Sequence, residues 1–285
     1  MGAFVYQKQL KRHTLSELVP VESFDEETNL FTLADGYIGF GFVAKPLPGS
    51  DESVTQRLNV LFSFDYPKES FIQVMLMGSQ DIRPTLDKIK SIRNTQDPAL
   101  KESLNNRLKM LTDGSTQAIS LHAQSFVREY RVVFTIKIPL EQKKQLPTQH
   151  ELSSARDLRL SFEQTLKSAG FLPQTMDAEL YLRMVGQILH WGHSANWRSK
   201  TKYYDPTSPV NEQLSEYDDM MKIDANGIWL GDKRLRILSP GRLQGQMSLD
   251  SMRRMIGDPL TGNRGLHGNF FINLNIFIPE NNAEK

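Results

Sequence analysis

The chain contains no cysteine, and this absence excludes several kinds of chemistry. Disulfides, thiol nucleophiles and Cys-ligated zinc or iron–sulfur sites cannot form, and the composition suits a reducing compartment. The sequence also lacks a run of about 20 apolar residues, which a helix needs to span a bilayer. Its first residues, MGAFVYQKQLKRH, have no apolar core of the kind found in a signal peptide. We therefore expect a cytoplasmic protein that meets a membrane only through partners.

An excess of charge of either sign is missing as well. The 34 Lys and Arg residues nearly balance the 33 Asp and Glu residues, which leaves a formal net charge of +1. Proteins that bind duplex nucleic acid draw much of their affinity from basic side chains on phosphates, so this balance disfavours that role for the whole chain. The 285 residues, 39% of them hydrophobic, suffice for one large domain or two modest ones.

The most informative stretch of the sequence is residues 35–64, which predicts a β-β-α unit. Asp35-Gly36 lies between apolar runs and favours a two-residue type I′ hairpin turn, with positive φ at both positions. The strand that follows would carry Phe40 on one face, and Gly39 and Gly41 on the other, where a backbone or a helix could approach closely. A helix over 54–64, capped by Asp51 or Ser50, would complete the unit.

Residues 1–174 as a whole predict a ferredoxin-like α+β portion, in which a split βαβ unit carries a hairpin edge. Apolar periodicity indicates strands at 19–24, 30–33, 37–44, 71–77 and 130–138, helices at 54–64 and 151–169, and a short returning strand at 171–172. A helical insertion is predicted over about 82–126. Its first helix begins at Arg83-Pro84, and its second begins at Asp97-Pro98 and is interrupted at Asp113-Gly114.

Residues 175–285 predict a second α+β portion with short hairpins. A helix over 176–189 and a polar loop over 192–213 precede hairpin signals at Asn226-Gly227 and Gly231-Asp232. Ser248 is placed to cap a short helix that ends at Met255. The last strand, 269–278, is apolar on both faces, which is typical of a strand in the centre of its sheet.

One segment has the glycine spacing of a phosphate-binding loop. In GDPLTGNR, residues 257–264, Asn263 and Arg264 stand where a P-loop needs Lys and then Ser or Thr, and a helix rather than a strand precedes the loop. A structural loop is the favoured interpretation. We assign no catalytic residue and no cofactor-binding residue, and we find no G-x-S-x-G nucleophile elbow.

The histidines give no metal site. His190 and His193 have a spacing that could place both imidazoles on one helix face, but Gly192 favours a helix end between them and no carboxylate is near in sequence. Packing or capping is therefore the favoured role, and no metal ligand is assigned.

The loop over 197–204, WRSKTKYY, interleaves three basic residues with three aromatic ones. This composition suits an inert surface loop, a contact with a partner protein, stacking on single-stranded bases, or contact with lipid headgroups. The residues we assign to partner binding are Trp197, Arg198, Tyr203 and Tyr204.

A family resemblance accompanies these patterns. The stretch LFTLADGYIGFGFVAKPLPGSDESV, an amphipathic helix after it, and SFIQVMLMGSQDI on the next strand resemble the amino-terminal domain of TraC-type ATPases of F-type conjugative type IV secretion systems. The likeness runs from about residue 15 to the end of the chain. It rests on pattern and order, since this part of the family has no catalytic signature.

The resemblance implies a non-catalytic adaptor without a cofactor, which docks a motor on inner-membrane subunits of the secretion channel and serves pilus assembly and DNA transfer. It also implies self-association of the full-length ATPase, a cytoplasmic place peripheral to the inner membrane, and a motor domain beyond residue 285. Two alternatives remain open. One is a nucleic-acid-binding module that uses the aromatic and basic loop, and the other is an enzyme of unfamiliar type.

Overall fold

A large antiparallel sheet and a small one contain the strands of the computed structural model, which describes residues 18–49, 51–93, 95–119, 126–142, 146–189, 203–214, 221–231, 233–239, 249–258, 266 and 268–279. In these residues the large sheet comprises β1 (Val21–Asp25), β2 (Leu30–Leu33), β3 (Tyr37–Ala44), β4 (Phe71–Ser79), β5 (Glu129–Pro139), β6 (Gln174–Thr175) and β10 (Phe270–Phe277). The small sheet comprises β7 (Met221–Asp224), β8 (Gly227–Leu230) and β9 (Lys233–Leu235).

Helices connect the strands of the large sheet, so the predicted α+β class is confirmed. The described helices are α1 (Glu52–Asn59), α2 (Arg83–Ile92), α3 (Pro98–Thr116), α4 (Gln149–Ser168), α5 (Ala178–Leu189) and α6 (Leu249–Ile256), with 3-10 helices at Val60–Ser63 and Val210–Gln213. The strand order is β1-β2-β3-β5-β4-β10, and β6 pairs with β3. Strand β5 occupies one edge of β3. The other edge of β3 is shared by β2 and β6. The more specific ferredoxin-like assignment stays a prediction.

Local capping rules hold well along the chain. The Asp51 carboxylate accepts a hydrogen bond from the Val54 amide at 2.9 Å and begins α1. Thr148 and Glu151 form a capping box at the start of α4, with each side chain bonded to the other residue's backbone amide. The α-helix after Asp51 ends at Asn59, and the predicted apolar stripe continues through a 3-10 turn that buries Leu61.

The turn at Asp35-Gly36 differs from its prediction. Leu33 pairs with Tyr37, so three residues form the loop. Gly36 has φ +81°, whereas Asp35 is not among the described residues with positive φ. A three-residue hairpin loop needs only one left-handed position, which explains why a single glycine suffices.

The two faces of the sheet bury separate apolar clusters. On one face, Phe40, Phe42 and Phe134 pack against α4, where the rings of Phe42 and Phe162 stack at 6.0 Å. On the other face, α5 and the 3-10 helix at Val210–Gln213 cover the strands. Gly41 belongs to this second face and lies under Met176. This agrees with the prediction that another segment approaches closely where the glycines lack side chains.

Two predictions at the helical insertion and the returning strand need correction. Helix α3 runs through Asp113-Gly114, where a Cβ on Gly114 would lie 2.9 Å from Val127 Cγ2, so this glycine permits close packing and does not interrupt the helix. Residues 171–172 form no strand, because Phe171 turns into the core against Phe134. The strand forms instead at β6. Residues 120–125, near the end of the predicted insertion, lie outside the described residues.

The last strand was predicted to be central, but β10 lies at the edge of the large sheet. It pairs with β4 along its whole length, and Leu274 is 55% exposed. Apolar residues on both faces of β10 therefore do not mean that this strand is central in its sheet. The division into residues 1–174 and 175–285 stays a prediction, but the sheet does not follow it, since β6 and β10 pair with β3 and β4.

Candidate partner-binding surface

Of the four residues assigned to partner binding, the structure describes two, and it gives them different roles. Tyr203 is 77% exposed. Tyr204 is half-buried, and its ring meets that of Phe24 edge-on at 6.4 Å in the apolar cluster under α5. Trp197 and Arg198 lie outside the described residues. Tyr203 is therefore available to a partner, whereas Tyr204 packs inside the fold.

The segment 203–214 is held in shape by its own polar side chains. The Asp205 carboxylate accepts hydrogen bonds from the Thr207 hydroxyl at 2.6 Å and the Thr207 amide at 2.9 Å, and these bonds, the hydroxyl's first, lower the pKa of Asp205. The Gln213 amide closes the turn: its Oε1 accepts from the Asp205 amide at 2.9 Å, and its Nε2 donates to the carbonyls of Asp205 and Ser208, each at 2.8 Å.

Apolar contacts fix the same segment to the sheet. Val210 and Leu214 are fully buried in the cluster under α5. With Tyr204 packed at one end and these two residues at the other, the segment presents Tyr203 from a well-supported position.

The small sheet carries further exposed apolar residues. Ile223 on β7 is exposed, as are Ile237 and Leu238 just after β9. Trp229 on β8 is part-buried, and its Nε1 donates to Asp224 Oδ1 at 3.3 Å.

A groove that sequence reasoning missed lies where β3 ends and β5 begins. Its volume is about 780 Å³, within the ~300–1,000 Å³ that ligand sites typically enclose. Its described lining comes from the end of β3 and the segment after it, the start of α2, the strand β5, the turn after α4, β6 and α5. The charged members are Lys45, Glu129, Arg131 and Arg183. Local sequence patterns carry little signal for this groove, because the segments that line it are far apart along the chain.

Gln187 contributes an unusual feature to this groove. The residue is only 6% exposed, and its Oε1 is buried with no hydrogen-bond partner among the described residues. A buried acceptor without a partner costs roughly 1–3 kcal/mol. One sequence signal was available, because Gln187 is a polar residue on the mostly apolar helix α5. It follows Leu180 by seven residues, or about two helical turns, and both residues line the groove.

The residues weighed for phosphate and metal binding lie mostly outside the described part of the chain. Gly257 has φ +90° and donates to the Arg253 carbonyl at 3.0 Å, so it ends α6; residues 259–264 of the loop lie outside the described residues, as do His190 and His193. No group of His, Asp and Glu that could hold a metal occurs among the described residues. Burial raises the pKa of Tyr66 and Tyr181, which belong to two different apolar clusters.

None of the described helices has the length and the apolar character that crossing a membrane requires. The longest of them, α4, has 20 residues and carries charged side chains along its exposed side.

Comparison with known proteins places the chain among conjugation proteins. The family model described as TraC protein matches residues 15–285. Protein TraC of Escherichia coli (strain K12) is 23% identical over 220 residues, which cover 76% of this chain and 24% of that protein. The chain thus spans about a quarter of the length of this relative.

Proposed function

The chain belongs to the TraC family of conjugative type IV secretion proteins, and on that premise we propose that it is a non-catalytic adaptor domain. In this role it docks the motor of a secretion ATPase on inner-membrane subunits of the channel and supports oligomerisation. Its place is then cytoplasmic and peripheral to the inner membrane.

The observation that carries the proposal is the extent of the family match. It covers residues 15–285, so it includes both sheets and all six described helices. The matched relative is a much longer protein, which agrees with a chain that serves as one part of a larger machine.

The Tyr203 segment supports a role in protein contacts. Tyrosine is enriched at protein interfaces because its ring is large, rigid and partly polar. Here the ring stands on a segment fixed by Asp205, Gln213 and two buried aliphatic residues. Since Tyr204 packs against Phe24, Tyr203 is the aromatic residue of this segment that a partner can reach.

The test is a pull-down of purified inner-membrane subunits of the cognate channel with the tagged chain. We expect capture of at least one subunit, and weaker capture by Tyr203→Ala. The matched control is Phe62→Ala, which removes another exposed aromatic ring from the 3-10 helix at Val60–Ser63.

Two results would redirect the interpretation. A folded wild-type chain that captures none of the channel subunits would contradict the adaptor role. A salt-sensitive complex with single-stranded DNA that Tyr203→Ala abolishes would instead favour the nucleic-acid-binding module.

A further inference from the structure

The groove where β3 ends and β5 begins is lined by more basic than acidic side chains. Lys45, Arg131 and Arg183 line it together with a single carboxylate, Glu129, among its described residues. Glu129 Oε2 is engaged by the Thr85 hydroxyl at 2.7 Å. The groove therefore carries an excess of positive charge, although the chain as a whole is nearly neutral.

Two of the basic residues stand side by side. Ala44 pairs with Val132, so Lys45 follows β3 next to Arg131 on β5. Neither forms an ion pair within the described part of the chain. Arg183 pairs with Glu179 of its own helix at 3.0 Å, in an exposed contact of a kind that contributes little and that a competing carboxylate can replace.

The remaining lining is largely aliphatic. Val43, Leu47 and Leu180 contribute to it, with Pro46 and Pro48 on the segment after β3 and the exposed Leu172 after α4. No aromatic side chain is among the lining residues that the structure describes, so the groove has no platform for stacking bases. Aliphatic contact combined with positive charge suits a peptide better than a nucleic acid.

Gln187 supplies an independent sign of a ligand. Its side-chain amide lies in the groove with a buried, unpartnered oxygen, and an amide can accept from a backbone N–H or donate to a carbonyl or carboxylate. If the side chain rotates toward the groove when a peptide binds, the peptide backbone provides the missing partner. Leu180, Arg183 and Gln187 are spaced by three and four along α5, so they face the groove together.

From these observations we propose that the groove binds a short peptide segment of a partner protein that combines acidic with aliphatic side chains. Its Asp or Glu carboxylates pair with Lys45 and Arg131, its aliphatic side chains contact Leu47, Leu172 and Leu180, and its backbone bonds to Gln187. This inference rests on the proposed function only because it requires a partner protein. The groove is a different surface from the one that carries Tyr203.

The experiment selects a displayed library of short random peptides on the chain and measures the binding of enriched peptides by fluorescence anisotropy. We expect enrichment of peptides that combine Asp or Glu with Leu, Ile or Val, and affinities that fall as sodium chloride is added. The double variant Lys45→Glu/Arg131→Glu should weaken binding about tenfold or more. Its matched control, Arg107→Glu/Lys109→Glu, makes the same charge change on exposed residues of α3, outside the groove lining, and should bind like the parent.

Gln187→Met separates a binding role from a structural one. Methionine has a similar size and no amide, so the variant should melt at the same or a higher temperature than the parent while it binds the enriched peptides several-fold more weakly. Unchanged affinity in Gln187→Met would remove Gln187 from the proposed contacts, and melting curves of all the variants verify that they fold.

The proposal is wrong if no peptide is enriched, if the enriched peptides are basic or uncharged, or if they bind the Lys45→Glu/Arg131→Glu variant as well as the parent. Displacement of the peptides by oligothymidylate would assign the groove to nucleic acid. Since the assay uses the isolated chain, its outcome is independent of whether channel subunits are captured in the pull-down.

Discussion

Met176 covers Gly41 at the point where the chain rejoins the large sheet after α4. The Met176 amide donates to the Gly41 carbonyl at 2.9 Å, and Met176 Sδ lies 3.1 Å from the position that a Cβ on Gly41 would occupy. This contact fixes the start of α5 on the sheet. Because α5 carries Arg183 and Gln187, it also sets the position of one wall of the groove.

The neighbouring glycine gives the first prediction. A Cβ on Gly39 would lie 2.8 Å from the Ile136 carbonyl oxygen, which belongs to the backbone of β5 and cannot move away easily. We expect Gly39→Ala to destabilise the protein by about 1–3 kcal/mol, as overpacking does. Gly49→Ala is the matched control, because nothing lies within 4 Å of its Cβ position. It should be neutral or stabilising by up to about 1 kcal/mol. Urea unfolding of both variants distinguishes the two signs.

The second prediction concerns the aromatic and aliphatic core of the sheet. Phe40 and Ile136 are paired neighbours on β3 and β5, and both are buried. Phe40→Ala and Ile136→Ala should each lower the free energy of unfolding by about 2–5 kcal/mol, because each leaves a cavity. Phe62→Ala removes an exposed ring and should change stability little. Unaltered denaturation midpoints for both core variants would contradict their assignment to the core.

Much of this fold could be predicted from local sequence rules. The cap at Asp51, the glycine face of β3 and the periodicity of α4 each depend on residues close together in the chain. The edge position of β10 could not be predicted, because its partner β4 lies almost 200 residues earlier and a strand's own pattern does not identify its neighbour.

The candidate surface shows the same limit. The aromatic and basic composition of residues 197–204 indicated a surface loop, but composition cannot decide which of two adjacent tyrosines packs against Phe24. The groove was missed because Lys45, Arg131 and Gln187 meet only after β3, β5 and α5 have assembled.

The third prediction is a pH dependence at the start of α4. Hydrogen bonds, first from the Thr148 side chain and then from backbone amides, lower the pKa of Glu151. A carboxylate with a lowered folded-state pKa contributes stability that is fully present above its unfolded pKa of about 4.3 and is lost as the pH falls through the folded value. Thermal melts from neutral pH to about pH 3 should therefore show a smaller acid-induced decrease in Glu151→Gln than in the parent. Equal decreases would mean that the charge of Glu151 has no part in the cap.

The fourth prediction is that the chain does not bind Mg-ATP. The sequence at 257–264 carries Asn263 and Arg264 where a phosphate-binding loop needs Lys and a hydroxyl residue. Calorimetric titration should show no saturable heat. Micromolar binding that disappears in Arg264→Ala would contradict this expectation and would assign a nucleotide site to that loop.

The fifth prediction separates the two adjacent tyrosines by what each one contacts. Tyr203 is exposed, so Tyr203→Ala should leave the melting temperature nearly unchanged while it weakens capture of channel subunits. Tyr204 packs edge-on against Phe24, so Tyr204→Ala should lower the free energy of unfolding, by about 1–3 kcal/mol for a half-buried ring. Light scattering over a concentration series tests whether either change alters self-association. If Tyr203→Ala captures the subunits as well as the parent does, the interface lies elsewhere on the chain, and the exposed apolar residues after β9, Ile237 and Leu238, become the next positions to replace.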